Sequence, residues 1–148
     1  MEKQDDFKEL LALFNNHGVE YLIVGGYALA FHGAPRSTGD IDLFVNPDPV
    51  NAERIMKALD VFGFGDVGLT AADFSAPGRV VQLGYPPVRI DILTSISGVT
   101  WEAAWQGRSA GMYDDLSVHF IGKREFLNNK KAAGRKKDDA DTEALTEK

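Results

Sequence analysis

Asp40 and Asp42 flank a single isoleucine in "DIDLFV", and Asp91 interrupts the apolar run "VRIDIL". Alternate residues of a strand project from one face, so Asp40 and Asp42 stand together while Ile41 and Leu43 point the other way. Two carboxylates held this close repel unless a cation or a proton lies between them. Asp91, from a neighbouring strand, would complete a site for a hard cation, and oxygen ligands of this kind suit Mg²⁺ or Mn²⁺. The plainer readings are a capping or strand-edge role for Asp40 and Asp42, and pairing of Asp91 with Arg89 or Arg79. Gly25-Gly26 closes the apolar run "YLIV", with thirteen residues between it and Asp40. Glycines there permit a tight turn and close approach of a ligand to backbone N–H groups, and a following helix N-terminus favours phosphate.

These residues need a scaffold. The chain has 148 residues, 44% of them apolar and 26% charged, in keeping with one domain spanning 1–148 and a real core. No apolar run reaches membrane-spanning length, and "MEKQDDFKEL" lacks a signal-peptide core, so a cytoplasmic protein without membrane association is expected. Cysteine is absent, which excludes disulfides, thiolate metal sites and cysteine nucleophiles. The net charge of −6 argues against a nucleic-acid-coating protein, although Lys123 to Lys137 carries seven basic residues and one acid.

Apolar spacing predicts a helix over "DDFKELLALFNNHG", ended by Gly18, and a second over "PVNAERIMKALDVFG". Between them come the strand "VEYLIV", a short helix "YALAFHG", the loop "APRSTG" and the strand "DIDLFV". "FGDVGLTAADFSAPG" reads as a weak strand and a loop. "RVVQLGY" and "VRIDILTSI" read as an antiparallel pair joined through Pro86-Pro87, and "RSAGMYDDLSVHFIG" as a hairpin turning at Asp114-Asp115. "TWEAAWQG" is a short helix or turn, and a helical segment occupies about 123–148. The expected fold class is α/β (α+β), a mixed sheet with helices packed mainly on one face.

The pattern apolar-Gly-Gly, thirteen residues, Asp-Ile-Asp-Leu and a later strand with one Asp resembles the nucleotidyltransferase superfamily. "GGYALAFHGAPRSTGDIDLFV" is similar to small bacterial nucleotidyltransferases related to AbiEii toxins and to minimal nucleotidyltransferases of toxin–antitoxin pairs. "KKAAGRKKDDADTEAL" resembles their closing helix. The resemblance covers about 20–94 and 123–145. It implies that Gly25 and Gly26 bind an NTP triphosphate, that Asp40, Asp42 and Asp91 hold Mg²⁺ or Mn²⁺, and that Asp91 also serves as base. A nucleoside monophosphate would pass to an acceptor hydroxyl of a protein, an RNA or a small molecule. RNA is not specifically indicated. Many relatives carry Ser at the Gly26 position, so here a phosphate would meet backbone alone.

Arg36 and Thr38 either contact a phosphate or are ordinary loop residues, with Ser37 an alternative to Thr38. The resemblance places a basic residue such as Lys137 or Arg135 on the triphosphate, and a solvated charge run fits equally. Asp138 and Asp141 are read as anchoring the last helix. His32 is read as closing its helix by bonding backbone, with a catalytic role as the alternative, Tyr27 as packing or touching a base, and Trp101 with Trp105 as core residues meeting at i,i+4, with stacking on an acceptor base as the alternative. Only about 25 residues follow the last strand, too few for an acceptor-gripping domain, so acceptor recognition would depend on a homodimer or a partner protein. Two other classes fit the same carboxylates: a non-catalytic nucleotide-binding, antitoxin-like module and a metal-dependent phosphohydrolase.

Overall fold

Amphipathic spacing and strand alternation translate into alternating elements in the computed structural model, which describes residues 5–34, 39–85 and 88–134. Helix α1 (Asp5–Asn16) leads to β1 (Tyr21–Val24), α2 (Gly25–Phe31), β2 (Asp40–Val45) and α3 (Pro49–Leu59). There follow β3 (Val80–Tyr85), β4 (Val88–Leu93), α4 (Trp101–Gln106), β5 (Ser109–Tyr113), β6 (Leu116–Phe120) and α5 (Lys123–Ala133). The six strands form one mixed sheet in the order β3-β4-β2-β1-β6-β5. Two antiparallel hairpins, β3–β4 and β5–β6, flank the antiparallel pair β1–β2 and join it through the parallel contacts β4–β2 and β6–β1.

The apolar stripe of α1, Phe7, Leu10, Leu11 and Phe14, is fully buried, as are Ile55 and Ala58 of α3. Ile41, Leu43, Ile90 and Ile92 bury the sheet face turned away from the aspartates. Each large apolar side chain so removed from water contributes about 1.5–3 kcal/mol. Asp48 caps α3 by accepting from the Val50 and Asn51 backbone N–H groups. The buried Asn51 accepts from the Glu20 N–H and donates to the Glu20 and Asn46 carbonyls, pinning α3 to the start of β1 and the end of β2.

One sequence expectation changes, and one open alternative is decided. The weak strand in "FGDVGLTAADFSAPG" does not form. Irregular turns and a 3₁₀ turn (Ala71–Asp73) stand there instead. Thr70 and Asp73 close that turn as a capping box, a local hydrogen-bond solution that outcompetes strand pairing. "TWEAAWQG" is a helix, because Thr100 caps the Ala103 N–H and Trp101 packs edge-on against Phe44, their ring centres 5.1 Å apart. Phe44 follows Asp42 by two residues, so α4 covers part of the aspartate face. The Pro86-Pro87 junction and the expected helix beyond residue 134 lie outside the described residues.

Candidate active site

Strand pairing brings the charges together. In the parallel contact between β2 and β4, Asp42 lies opposite Asp91 and Asp40 opposite Arg89. Register partners share a face, and neighbouring strands lie about 4.8 Å apart, so Asp40, Asp42, Arg89 and Asp91 form one polar cluster. Arg89 Nη2 donates to Asp40 Oδ2 at 2.8 Å and to Asp91 Oδ2 at 3.2 Å. On the other side of β2, Asp42 lies opposite Val24, the last residue of β1. The chain then turns through Gly25 with φ +68°, a conformation L side chains resist. A Cβ at Gly25 would also overlap the Asp42 carboxylate. Glycine is thus required there twice, by the turn and by the carboxylate behind it.

Burial raises the Asp42 carboxyl from 3.8 to about 6, and the nearby charges of Asp91 and Asp40 push the same way, against the pull of Lys130. Protonated Asp42 hydrogen-bonds Asp91, so a proton is the smallest cation this pair shares. Asp91 Oδ1 is buried with no hydrogen-bond partner among the described residues. An orphaned buried acceptor is costly, and this one sits beside a second carboxylate. Two acidic side chains in register with an oxygen unpartnered fit a hard divalent cation. Among the described residues, however, no three acidic or histidine side chains stand together as a ready ligand set. Arg89 engages Asp40 and Asp91 itself.

Helix α5 supplies a positive charge. Phe126 is its buried side chain, and Asn129 Nδ2 donates to the Ser97 carbonyl at 3.0 Å, tying α5 to the segment after β4. Lys130 lies over the Phe126 ring, 5.4 Å from its centre. An open groove of 440 Å³ runs between α5 and the end of β4, lined by Leu93, Ser95, Ser97, Asn129 and Lys130. Leu93 follows Asp91 by two residues, so the groove adjoins the carboxylates. A larger hollow of 720 Å³ opens at the far end of β1, near Glu20, Trp105 and His119, away from the aspartates.

The other residues read from sequence have definite places. Gly26 lies in the first turn of α2. Tyr27 is buried against Phe7 and Tyr113, a packing role. His32 Nε2 donates to the Ile121 carbonyl at 2.7 Å, joining the end of α2 to the end of β6 rather than closing its own helix. Trp101 and Trp105 stack at 5.3 Å, Trp101 buried and Trp105 beneath the Arg108 guanidinium. Arg36, Ser37, Thr38, Arg135, Lys137, Asp138 and Asp141 lie outside the described residues. Sequence reasoning considered Arg89 only as a surface partner of Asp91. Its two-residue spacing from Asp91 was the available signal that it shares the face, and only the strand register adds Asp40.

No protein-family model and no curated protein matches this sequence. Solved structures do match. TM1012 of Thermotoga maritima, a provisionally assigned nucleotidyltransferase, superposes with a TM-score of 0.62 at 15% identity, over 96% of this chain and 91% of that one. This chain has a nucleotidyltransferase-like fold. A second structure, the lincosamide antibiotic adenylyltransferase LnuA with lincomycin bound, matches this nucleotidyltransferase fold with a TM-score of 0.57 at 14% identity, over 99% and 98% of the two chains. Within the nucleotidyltransferase fold of this chain, the Gly25 turn and the paired aspartates meet at adjacent ends of β1 and β2.

Proposed function

We propose that this chain transfers a nucleoside monophosphate from an NTP to an acceptor hydroxyl in a reaction that depends on a divalent cation. The observation that carries the reading is the in-register pair Asp42–Asp91, with one buried oxygen unpartnered, beside the Gly25 turn. Asp42 and Asp91 would hold Mg²⁺ or Mn²⁺, with Asp40 joining them once released from Arg89. The chemistry supplied by the bound cation is charge neutralisation on the triphosphate and a lowered pKa for the attacking hydroxyl.

The chain's own groups do the rest. Backbone N–H groups at the Gly25-Gly26 turn bind triphosphate oxygens. Lys130 adds positive charge from α5, and its groove admits part of the nucleotide or a small acceptor, being of the volume small-molecule sites use. Asp91 accepts the proton of the acceptor hydroxyl. The oxygen bonds to the α-phosphorus, the α–β phosphoanhydride breaks, and pyrophosphate leaves. Arg36, Thr38 and Lys137 are further candidates for phosphate contact on the family resemblance. The acceptor is a protein hydroxyl, an RNA 3′ end or a small molecule, the last being the kind that LnuA's name specifies for LnuA. A toxin–antitoxin or defence setting, with a homodimer or partner protein completing acceptor recognition, follows from the same resemblance.

Incubation with each α-labelled NTP, Mg²⁺ or Mn²⁺ and a cell extract tests the reading. Label appearing on an acceptor supports it. Label released as free monophosphate identifies a hydrolase instead, and no turnover with any NTP leaves a binding module.

A further inference from the structure

We propose that Arg89 is the built-in counter-ion of the carboxylate cluster, and that a divalent cation binds only as the Arg89 guanidinium lets go, so that Arg89 sets the cation affinity of the site. The inference rests on the cation reading above and deepens it. Its first support is the double engagement, in which one guanidinium nitrogen bonds both Asp40 Oδ2 and Asp91 Oδ2. Those oxygens belong to the residues a cation would need. A guanidinium and a divalent ion cannot both sit among them without like-charge repulsion, and the pairs are partly buried, so solvent screens them weakly.

The second support is that Arg89 is held incompletely. Its Nε is buried and has no hydrogen-bond partner among the described residues. A buried unsatisfied donor is an unfavourable arrangement that release relieves. The third is that the side chain has somewhere to go. Across the β3–β4 ladder, Arg89 lies opposite Gly84, which presents no side chain. Gly84 has φ +79°, and a Cβ there would press on the Val88 carbonyl, so the backbone itself keeps this place clear. Gly84 is exposed and β3 is an edge strand, so a released guanidinium reaches solvent by moving away from β2. There its planar donors are free for a phosphate oxygen, the partner arginine bonds best.

Mn²⁺ binding to the protein without nucleotide, followed by the electron paramagnetic resonance of free Mn²⁺ and by calorimetry, tests this directly. Arg89→Gln and Arg89→Met are each compared with the parent at neutral pH, with circular dichroism and thermal melts confirming the fold. Removing a positive charge adjacent to a doubly charged ion should tighten Mn²⁺ binding roughly tenfold, and Arg89→Lys, which keeps the charge but loses the fork, should fall between. Unchanged or weaker Mn²⁺ binding in folded Arg89→Gln and Arg89→Met overturns the proposal, as does a parent that binds no Mn²⁺. Transfer of label is scored separately. Tighter Mn²⁺ binding without transfer by the parent retains the counter-ion role and discards the transferase reading, whereas transfer by the parent without tightening in the variants does the reverse.

Discussion

Replacing Asp42 with asparagine should stabilise the cation-free protein near neutral pH while abolishing nucleotidyl transfer. Folding lifts the Asp42 carboxyl from 3.8 to about 6, mainly by burial and then by repulsion from Asp91 and Asp40. That is about 2 pK units, or about 3 kcal/mol at 1.36 kcal/mol per unit. Asp42 is only partly buried, so solvent screening reduces the working figure to about 2 kcal/mol. Because the folded value is raised, the favourable proton is present in full below about pH 4 and its benefit is lost as pH rises through about 6. The substituted side chain would carry no charge to lose, and its amide N–H can donate where the proton did. In thermal melts with chelator, the variant should therefore gain on the parent between about pH 4 and pH 6, and melt about 4–8 °C higher above that window. Excess Mg²⁺ should close the gap by stabilising the parent alone. A gap that is absent near neutral pH, or that persists unchanged at about pH 4, would refute the account of Asp42 as a buried, repelled carboxylate.

Further outcomes follow from the same geometry. Gly25→Ala places a Cβ against the Asp42 carboxylate on a backbone with positive φ, and urea unfolding should show a loss of about 2 kcal/mol or more together with loss of transfer. Asp91→Asn should weaken Mn²⁺ binding in a direct titration and stop transfer in single-turnover assays, since the site loses a cation ligand and the acceptor hydroxyl loses its base. Wild-type transfer by that variant would reassign the residue. Lys130→Glu should weaken NTP binding several-fold at low ionic strength and less in high salt, and an affinity indifferent to both changes would remove Lys130 from the triphosphate. Phe126→Ala removes the buried anchor of α5 and should cost about 3–5 kcal/mol, read by urea unfolding.

Local chemistry alone determined much of this protein. The stripe Phe7, Leu10, Leu11 and Phe14 can form only an amphipathic helix, and the alternation in "DIDLFV" and "VRIDIL" puts Asp40 with Asp42 and Asp91 with Arg89 on single faces, because side-chain direction repeats every two residues. The doublet Gly25-Gly26 marked the turn for the same local reason. Register, by contrast, is a contact between segments about fifty residues apart, and nothing within either strand states it. Only the assembled sheet sets Asp42 against Asp91 and Asp40 against Arg89, turning three acids and an arginine into one electrostatic cluster. Only the fold reveals that the absent side chain of Gly25 is space required by Asp42, and that Lys130, on a helix docked through Phe126 and Asn129, brings its charge to bear on the same carboxylate. Burial raised the Asp42 carboxyl to about 6, and burial belongs to the packed molecule, since an aspartate in an extended chain keeps its solvent and its ordinary acidity.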